Sequence, residues 1–538
     1  MELASEVYRE LEDIIGSEYI TRDPAIRDTY NQVWGNKLMF DEKWSIRPAA
    51  VLLPATTEEI QAIVKVCNKY HILFKSFSSG FEIVATSLES EKGIILDLRR
   101  MNRILEIDDK NMHALVEPYV SVYKLEIEAA KYGLYNSTIG AGTSAGVIAS
   151  AVCHSGTGSS MISTGGLGRN ILGIEWVLPT GEVLRLGTGG SGDEWFSADG
   201  PGPSLRGILR GHSGANGGHG VITKLSLKLY PWYGPSEWEM VREEGEEPSQ
   251  RHLRKMPDGF KGFIVLFPNR DNMFEAYCEA GKAEILFAGH QLGSFHSLEG
   301  SGNDEAWQNY QNMTKLIGPE LIKALNEASL GLIIGASSGR EMAYREKCLT
   351  KICKKWGGNF IPELNTPQAV LGLLETMVWS HDLVRMTFRP TGDIFISPCN
   401  DATDDAIRRE IADGDEMFES YLERKGAVQI GIQSWNPLYE NYSVGSHLES
   451  IYLYNAWDPD SLKATREIVN QTIDPKGKFR KYGVPLLGGG LSIESRTHVH
   501  QNWGPEYDNY DVWLRKIKQM LDPNNVGDWS SYTPSVFP

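Results

Sequence analysis

Two small-residue stretches decide the reading of this chain: Lys75-Ser-Phe-Ser-Ser-Gly80 and Gly140-Ala-Gly-Thr-Ser-Ala-Gly146. The first follows a short apolar run, His71–Phe74, and precedes another, Ile94-Ile-Leu-Asp-Leu98. The second opens a Gly/Ser-rich stretch that ends in Gly173-Ile-Glu-Trp-Val-Leu-Pro-Thr-Gly-Glu182. Small side chains leave backbone N–H groups open and let a polyanion approach closely, so each stretch suits a phosphate. Either one alone is equally an ordinary tight turn. Two of them in one half of the chain suggest a large cofactor gripped from both sides.

The surroundings read as mixed α and β structure. Val51-Leu-Leu-Pro-Ala-Thr-Thr-Glu-Glu-Ile60 gives a strand, a turn and a helix start, with Thr56 or Thr57 as N-cap and acids in the first turn. Ile60, Ile63, Val64 and Cys67 continue it at helical spacing. Strands follow at Ile94–Leu98 and Ala114–Pro118, then a helix over Val122–Gly133. This β-α-β-β-α order argues against an all-parallel sheet. Gly173–Leu178, Val183–Leu186 and Val221–Leu229 add strands, and Pro179-Thr-Gly-Glu182 has hairpin turn chemistry. Upstream, residues 3–33 read as an amphipathic helix followed by a loop.

The composition shifts at Tyr230-Pro-Trp-Tyr-Gly-Pro235 and the charged run Arg242-Glu-Glu-Gly-Glu-Glu-Pro248, which together mark a domain boundary. Beyond it, strands (Gly262–Pro268, Leu332–Ala336, Ser450–Tyr454) alternate with helices (Asp304–Ile317, Asp405–Lys425). A final segment carries a helix over Asp511–Leu521. The expected division is 1–240, 241–485 and 486–538.

At 538 residues the chain exceeds what one core supports. Its 53 basic and 70 acidic side chains leave a net charge of −17, which argues against a nucleic-acid partner. Six cysteines without a CxxC pair suit a reduced, cytoplasmic protein. The acidic start, Met1-Glu-Leu-Ala-Ser-Glu-Val7, does not read as a signal peptide. No apolar run reaches the roughly 18 residues of a membrane span.

Several motifs fail. Gly166-Leu-Gly168 comes nearest to a dinucleotide fingerprint, but Ile171 stands where its third glycine belongs. Neither a P-loop nor HExxH occurs. His498-Val-His500 lacks a third ligand, and alternate strand residues point to opposite faces, so no metal site is expected.

Taken together, several pieces resemble the vanillyl-alcohol oxidase/p-cresol methylhydroxylase flavoproteins, which carry a PCMH-type FAD-binding domain. They are Pro54-Ala-Thr-Thr-Glu-Glu-Ile60, Leu98-Arg-Arg-Met-Asn-Arg-Ile104 with Val116-Glu-Pro118, Glu175-Trp-Val-Leu-Pro-Thr-Gly-Glu182, Gly220-Val-Ile-Thr223 and Asp522-Pro-Asn-Asn525. The resemblance is strongest over 47–230, weak over 250–440, and returns at 490–527. It implies an α+β protein: an FAD domain of two α/β subdomains, an α+β cap with an antiparallel sheet, and a C-terminal segment returning to the FAD domain. It also implies FAD held by Lys75, Ser76, Phe77, Ser78, Ser79 and Gly80 at the pyrophosphate. Gly142, Thr143, Ser144 and Ser150 would complete that grip. Gly220, Val221 and Ile222 would run beside the flavin ring, and Asn525 would close the site.

The chain also departs from that family. Members often carry an Arg-Gly-Gly-Gly run, some with a flavin-linking histidine. Here no histidine lies from 72 to 111, which excludes a covalent link through that loop. His447 is the nearest match to a cap-domain linking histidine, and is equally an active-site or surface residue. The Cys153-His154 pair is a lesser candidate.

Ser495-Arg-Thr-His498 resembles the Tyr-Arg-Thr-His stretch of phenol-oxidising members. Arg496 would hold a substrate anion, whether phenolate, carboxylate or phosphate. It could equally form a structural salt bridge. Ser495 replaces the tyrosine, and Gly166 or a neighbour falls where those members place an acid, which counts against a phenol. His498 and His500 are candidates for base or hydrogen-bond donor. Tyr452, with Trp435, Tyr442 and Tyr454, is a candidate for the cap pocket, though core packing is the commoner fate of such residues.

The resulting expectation is an FAD-dependent oxidase or dehydrogenase. It would take hydride from a small alcohol, hydroxy acid or para-substituted phenol and pass electrons to oxygen or a redox protein. A homodimer is expected. The alternatives are a transferase without net redox, of the alkylglycerone-phosphate synthase type, and a non-catalytic flavin subunit of a complex.

Overall fold

The computed structural model describes residues 3–30, 47–80, 88, 90–137, 142–153, 156, 158–187, 192, 195, 204–209, 218–242, 252–292, 308, 311–312, 315–316, 318–379, 395–396, 399–427, 431–440, 443–455, 458–473, 476–477, 505 and 508–528.

The first sheet has the order β1 (Ile20–Thr21), β2 (Ala50–Leu52), β4 (Ile94–Asp97), β3 (Phe74–Phe77). β2 and β3 run parallel to β4, and β1 runs antiparallel to β2. The helix Thr57–Tyr70 buries Ile60, Ile63, Val64 and Cys67 in the same core as this sheet. Thr56 caps it by accepting the Glu59 N–H at 3.1 Å. The helix Ser5–Ile15 adds Val7, Leu11 and Ile15 to that core.

Two sequence expectations shift here. The expected helix-then-loop over 3–33 breaks at Gly16 (φ +88°), and Ile20–Thr21 becomes a strand by pairing with Val51 and Leu52. A short helix, Pro24–Thr29, follows. The expected strand His71–Phe74 instead runs from Phe74 to Phe77, matching Lys75 to Ile95 and Phe77 to Asp97. Backbone pairing with β4 carries the strand into polar residues that an apolar pattern leaves out.

The second sheet is antiparallel, in the order β5 (Ile104–Asp108), β6 (His113–Val116), β10 (Val221–Lys228), β8 (Ile171–Val177), β9 (Val183–Leu186). Its buried side, with Ile174, Trp176 and Leu225, shares a core with Val122 and Leu125 of the helix Val122–Ala130. The β8–β9 connection is a tight hairpin: Leu178 donates to Glu182 O, and Gly181 takes φ +84°. β7 (Leu134–Tyr135), which follows that helix, pairs with β11 (Tyr230–Pro231).

The region after Pro231 builds further antiparallel sheets. β12 (Met240–Val241) pairs with β13 (His252–Leu253). β14 (Phe260–Leu266) and β15 (Ala288–Gln291) flank β16 (Ser329–Gly335). The helices Arg270–Lys282 and Gly339–Lys355 share the core of that sheet. β20 (Ser443–Leu453) pairs with β17 (Phe395–Ile396), β18 (Cys399–Thr403) and β19 (Gly431–Glu440). The halves are stitched by polar contacts: Gly289 N donates to Ser159 O at 2.9 Å, and Ser163 Oγ to Phe287 O at 2.7 Å. Among the described residues, no helix is long and apolar enough to cross a membrane.

Candidate cofactor site

The first loop leaves β3 at Phe77, whose ring meets Tyr30 edge-on at 5.2 Å. The chain turns over Ser78–Gly80. Gly80 has φ +75°, and a Cβ there would lie 2.8 Å from the Phe77 ring, so a side chain is both strained and obstructed. The second loop reaches the same place from the other side of the domain. Gly146 bridges to Ser121, and Val147 N donates to Val120 O at 2.8 Å.

The two loops touch. Gly146 N donates to Ser79 Oγ at 2.9 Å. A Cβ on Gly146 would sit 3.2 Å from Ser78 Oγ and 3.2 Å from the Pro118 carbonyl. The Gly146 backbone therefore packs directly on the small hydroxyl side chains of Ser78 and Ser79. Thr143 is buried and Ser144 exposed. Ser150 Oγ donates to Gly146 O at 2.8 Å, so its hydroxyl braces the loop.

The C-terminal segment completes the framework. Phe74 N donates to Val526 O at 2.8 Å, and Asp528 N to Phe74 O at 2.9 Å, so residues 526–528 run parallel beside β3. Lys75 Nζ meets the buried Asp528 carboxylate at 3.0 Å. The Lys75 charge is thus already matched within the protein, and the serines and backbone amides are left to meet an anion.

Lys518 is buried and ties three segments together. Its ammonium donates to Gly218 O at 2.7 Å, Gly527 O at 2.8 Å and Asp522 Oδ2 at 2.6 Å. Burial lowers its pKa against the opposing pull of Asp522. Next to Gly218 stands His219, whose carbonyl accepts the Trp176 indole N–H at 2.7 Å. Burial and the Lys518 charge lower the His219 pKa to about 3, so the ring is neutral at physiological pH. Gly220 follows with φ +108°, where a Cβ would lie 2.2 Å from Val177 O. Val221 and Ile222 then enter β10 with buried side chains, and their backbone pairs with Val177 and Trp176.

These residues fit a large polar cofactor. Besides the close-packed loops, His219 Nδ1 and Asn525 Oδ1 are buried without a hydrogen-bond partner among the described residues. Such atoms call for a partner beyond the described residues.

The other expected residues divide. Tyr452 lies in a packed aromatic cluster, 5.5 Å from Tyr421 and 5.6 Å from Phe418, with no exposed surface. Burial raises its pKa. His447 is on the central strand β20, opposite Asp401 and Asn436, and its side chain lies outside the described residues. Arg496, His498 and His500 also lie outside them. Sequence reasoning missed His219, Lys518 and Asp522 as parts of one knot. Its only signals were a Gly-His-Gly triplet and a lysine four residues before Asp522. Glu106, Asp108 and His113 cluster closely enough to share a cation, but both Asp108 oxygens already accept from Asn111 at 2.7 Å.

Comparison with known proteins is decisive here. Residues 48–187 match the FAD binding domain family. The chain is 29% identical over 520 residues to the 4-cresol dehydrogenase [hydroxylating] flavoprotein subunit of Pseudomonas putida, covering 91% of this chain and 89% of that one. The structure of p-cresol methylhydroxylase with substrate bound superposes with a TM-score of 0.72 at 19% identity, over 97% of this chain and 95% of that one. The chain thus carries an FAD-binding domain and has the fold of the p-cresol methylhydroxylase flavoprotein. An FAD-linked oxidoreductase of Mycobacterium tuberculosis is 27% identical over 230 residues, 42% of this chain and 46% of that relative's length. The fold is α+β, and the cofactor is FAD.

Proposed function

We propose that this flavoprotein is an FAD-dependent oxidase or dehydrogenase acting on a small alcohol, hydroxy acid or para-substituted phenol. The observation that carries the cofactor half of this reading is the Gly146–Ser79 contact, which brings two loops rich in glycine and serine to one point. Similarity to a 4-cresol dehydrogenase flavoprotein subunit over most of both chains supports the redox half.

Ser78–Gly80 and Gly142–Gly146 hold the pyrophosphate with backbone amides and hydroxyls. Gly220–Ile222 lie beside the ring system, with His219 and Asn525 as polar contacts. FAD, when bound, supplies the hydride acceptor at N5. Arg496 anchors an anionic group of the substrate, and His498 or His500 takes the proton released from its hydroxyl. Ser495 favours a carboxylate or other small anion over a phenolate at Arg496, because the tyrosine that would share a phenolate is absent. Electrons then pass to oxygen or a redox protein, and the flavoprotein works as a homodimer.

The test is an absorbance spectrum of the purified protein, repeated on the supernatant after acid precipitation. A yellow supernatant, then anaerobic bleaching by a hydroxy acid or phenol, is the expected result. A yellow pellet would point to a covalent link and to His447. A protein that takes up no added FAD would end this reading, as would a flavin that no alcohol, hydroxy acid or phenol bleaches. Arg496→Ala should slow bleaching by about a hundredfold or more while FAD stays bound, as loss of a charged substrate contact of about 3 kcal/mol implies. Equal loss of FAD would make Arg496 structural.

A further inference from the structure

The helix Val122–Ala130 presents Tyr123 and Ile127 to solvent, 51% and 36% exposed, yet turns Glu126 inward to 5%. Neither Glu126 oxygen has a hydrogen-bond partner among the described residues. Burial alone pushes its carboxyl well above the ordinary range, with no charged neighbour to offset it. Glu126 lines a small cleft, about 10 Å³ and so of a size for one water-sized head group, that opens to solvent and is otherwise walled by Tyr123, Tyr135, Trp232 and Trp238 with small aliphatic groups. Trp232 stacks on Tyr135 at 5.3 Å and meets Trp238 at the same distance. The Trp232 indole N–H donates to Pro235 O at 2.9 Å, which fixes the plane of that ring.

A buried acid without a donor is a costly arrangement, and proteins rarely keep one that does nothing. Aromatic faces attract a cation, and a carboxylate in their midst asks for N–H donors and a positive charge. A quaternary ammonium satisfies only the rings, and an alcohol only the carboxyl. A primary ammonium group satisfies both.

We propose that this cleft binds a primary alkylammonium ion, with its head on Glu126 and its stem against Trp232 and Trp238. Binding converts the Glu126 carboxylic acid to a carboxylate paired with R–NH3⁺ and releases one proton to solvent. The ammonium belongs either to a free small amine or to a lysine side chain of another protein. Tyr123 N donates to Thr143 O of the second loop at 2.9 Å, but the cleft shares no lining residue with the loops assigned to FAD, so the inference does not rest on the proposed function.

The test is calorimetric titration of the FAD-loaded protein with n-butylammonium, in two buffers of different ionisation enthalpy at pH 6, 7 and 8. Saturable binding should release close to one proton. Affinity should rise about tenfold per pH unit until Glu126 ionises unaided. Glu126→Gln should bind at least tenfold more weakly, without proton release or pH dependence, and Glu126→Leu should not bind. Equal binding by Glu126→Gln, tetramethylammonium binding as tight as n-butylammonium, or no saturable heat in wild type would overturn the assignment. Nα-acetyl-lysine amide separates the two sources: binding like that of n-butylammonium supports a protein lysine, and binding by n-butylammonium alone supports a free amine.

Discussion

Glu175 and Glu126 are both buried glutamates of the FAD-binding half, and their surroundings are opposite. Glu175, on β8, accepts from Thr57 Oγ1 at 2.7 Å, Thr223 Oγ1 at 3.0 Å, Arg185 Nε at 2.9 Å and Lys224 Nζ at 2.9 Å. Burial pushes its carboxyl up, but the bonds from Lys224 and Thr57 outweigh that and leave its pKa below the ordinary value. Among the described residues, Glu126 has burial and nothing else. One acid is a strut between the helix Thr57–Tyr70 and the second sheet. The other is a group held in reserve for something outside the chain. Burial alone therefore does not mark a functional acid; burial without partners does.

The largest expected effect comes from breaking the strut. Glu175→Ala leaves Lys224, Thr57 and Thr223 facing one another without their shared acceptor. Chemical denaturation should show a loss of about 3–5 kcal/mol, the usual consequence of removing one partner of a buried ion pair. A loss below about 1 kcal/mol would place Glu175 with ordinary surface ion pairs and undo the contrast.

Removing Glu126 should act with the opposite sign. Its folded-state pKa lies above the unfolded value of 4.5, so the native protein keeps a proton that the unfolded chain has lost. The contribution is fully present below about pH 4.5 and is lost as pH rises towards the folded pKa. Without ligand, Glu126→Gln should gain on wild type as pH rises above 4.5, with a slope of at most about 1.4 kcal/mol per pH unit. Denaturation midpoints at several pH values measure this. A pH-independent difference would mean that Glu126 has a partner after all.

The same contrast explains what the sequence made legible. Local signals came through: the acids after Thr56 predict a capped helix, and Thr56 caps it. The hairpin turn at Pro179–Glu182 and the alternation of short strands were also readable. The two candidate caps turned out to do different things, since Thr57 is buried and donates to Glu175, 118 residues away. That division depends on a contact no local pattern encodes. The same holds for Lys75, whose polar character read as a phosphate ligand but whose partner is Asp528 near the far end of the chain. Lys518 and Gly218, 300 residues apart, are joined only by the fold. Glycines at 80, 146 and 220 were legible as close-approach points because a missing side chain is itself a sequence signal. Polar groups with distant partners carry no such mark.

His219 extends the comparison from acids to a base, with the smallest of the three effects. It is 4% exposed, its Nδ1 has no partner among the described residues, and the nearby charge is the cation Lys518. Protonating the ring would bury a second positive charge beside the first, which is why its pKa is lowered to about 3 from 6.5. The unfolded chain therefore binds a proton below pH 6.5 that the native protein refuses. The stability owed to a neutral His219 is complete above pH 6.5 and is lost as pH falls towards 3. At pH 5 that loss amounts to about 2 kcal/mol, and His219→Gln should remove it and flatten the acid limb of the stability profile. If FAD covers Nδ1, the same variant should also release FAD more readily at pH 7.5, where the titration makes no difference to folding. A flattened acid limb with unchanged FAD affinity would leave His219 as a buried neighbour of Lys518 and pass the role of polar cofactor contact to Asn525 alone.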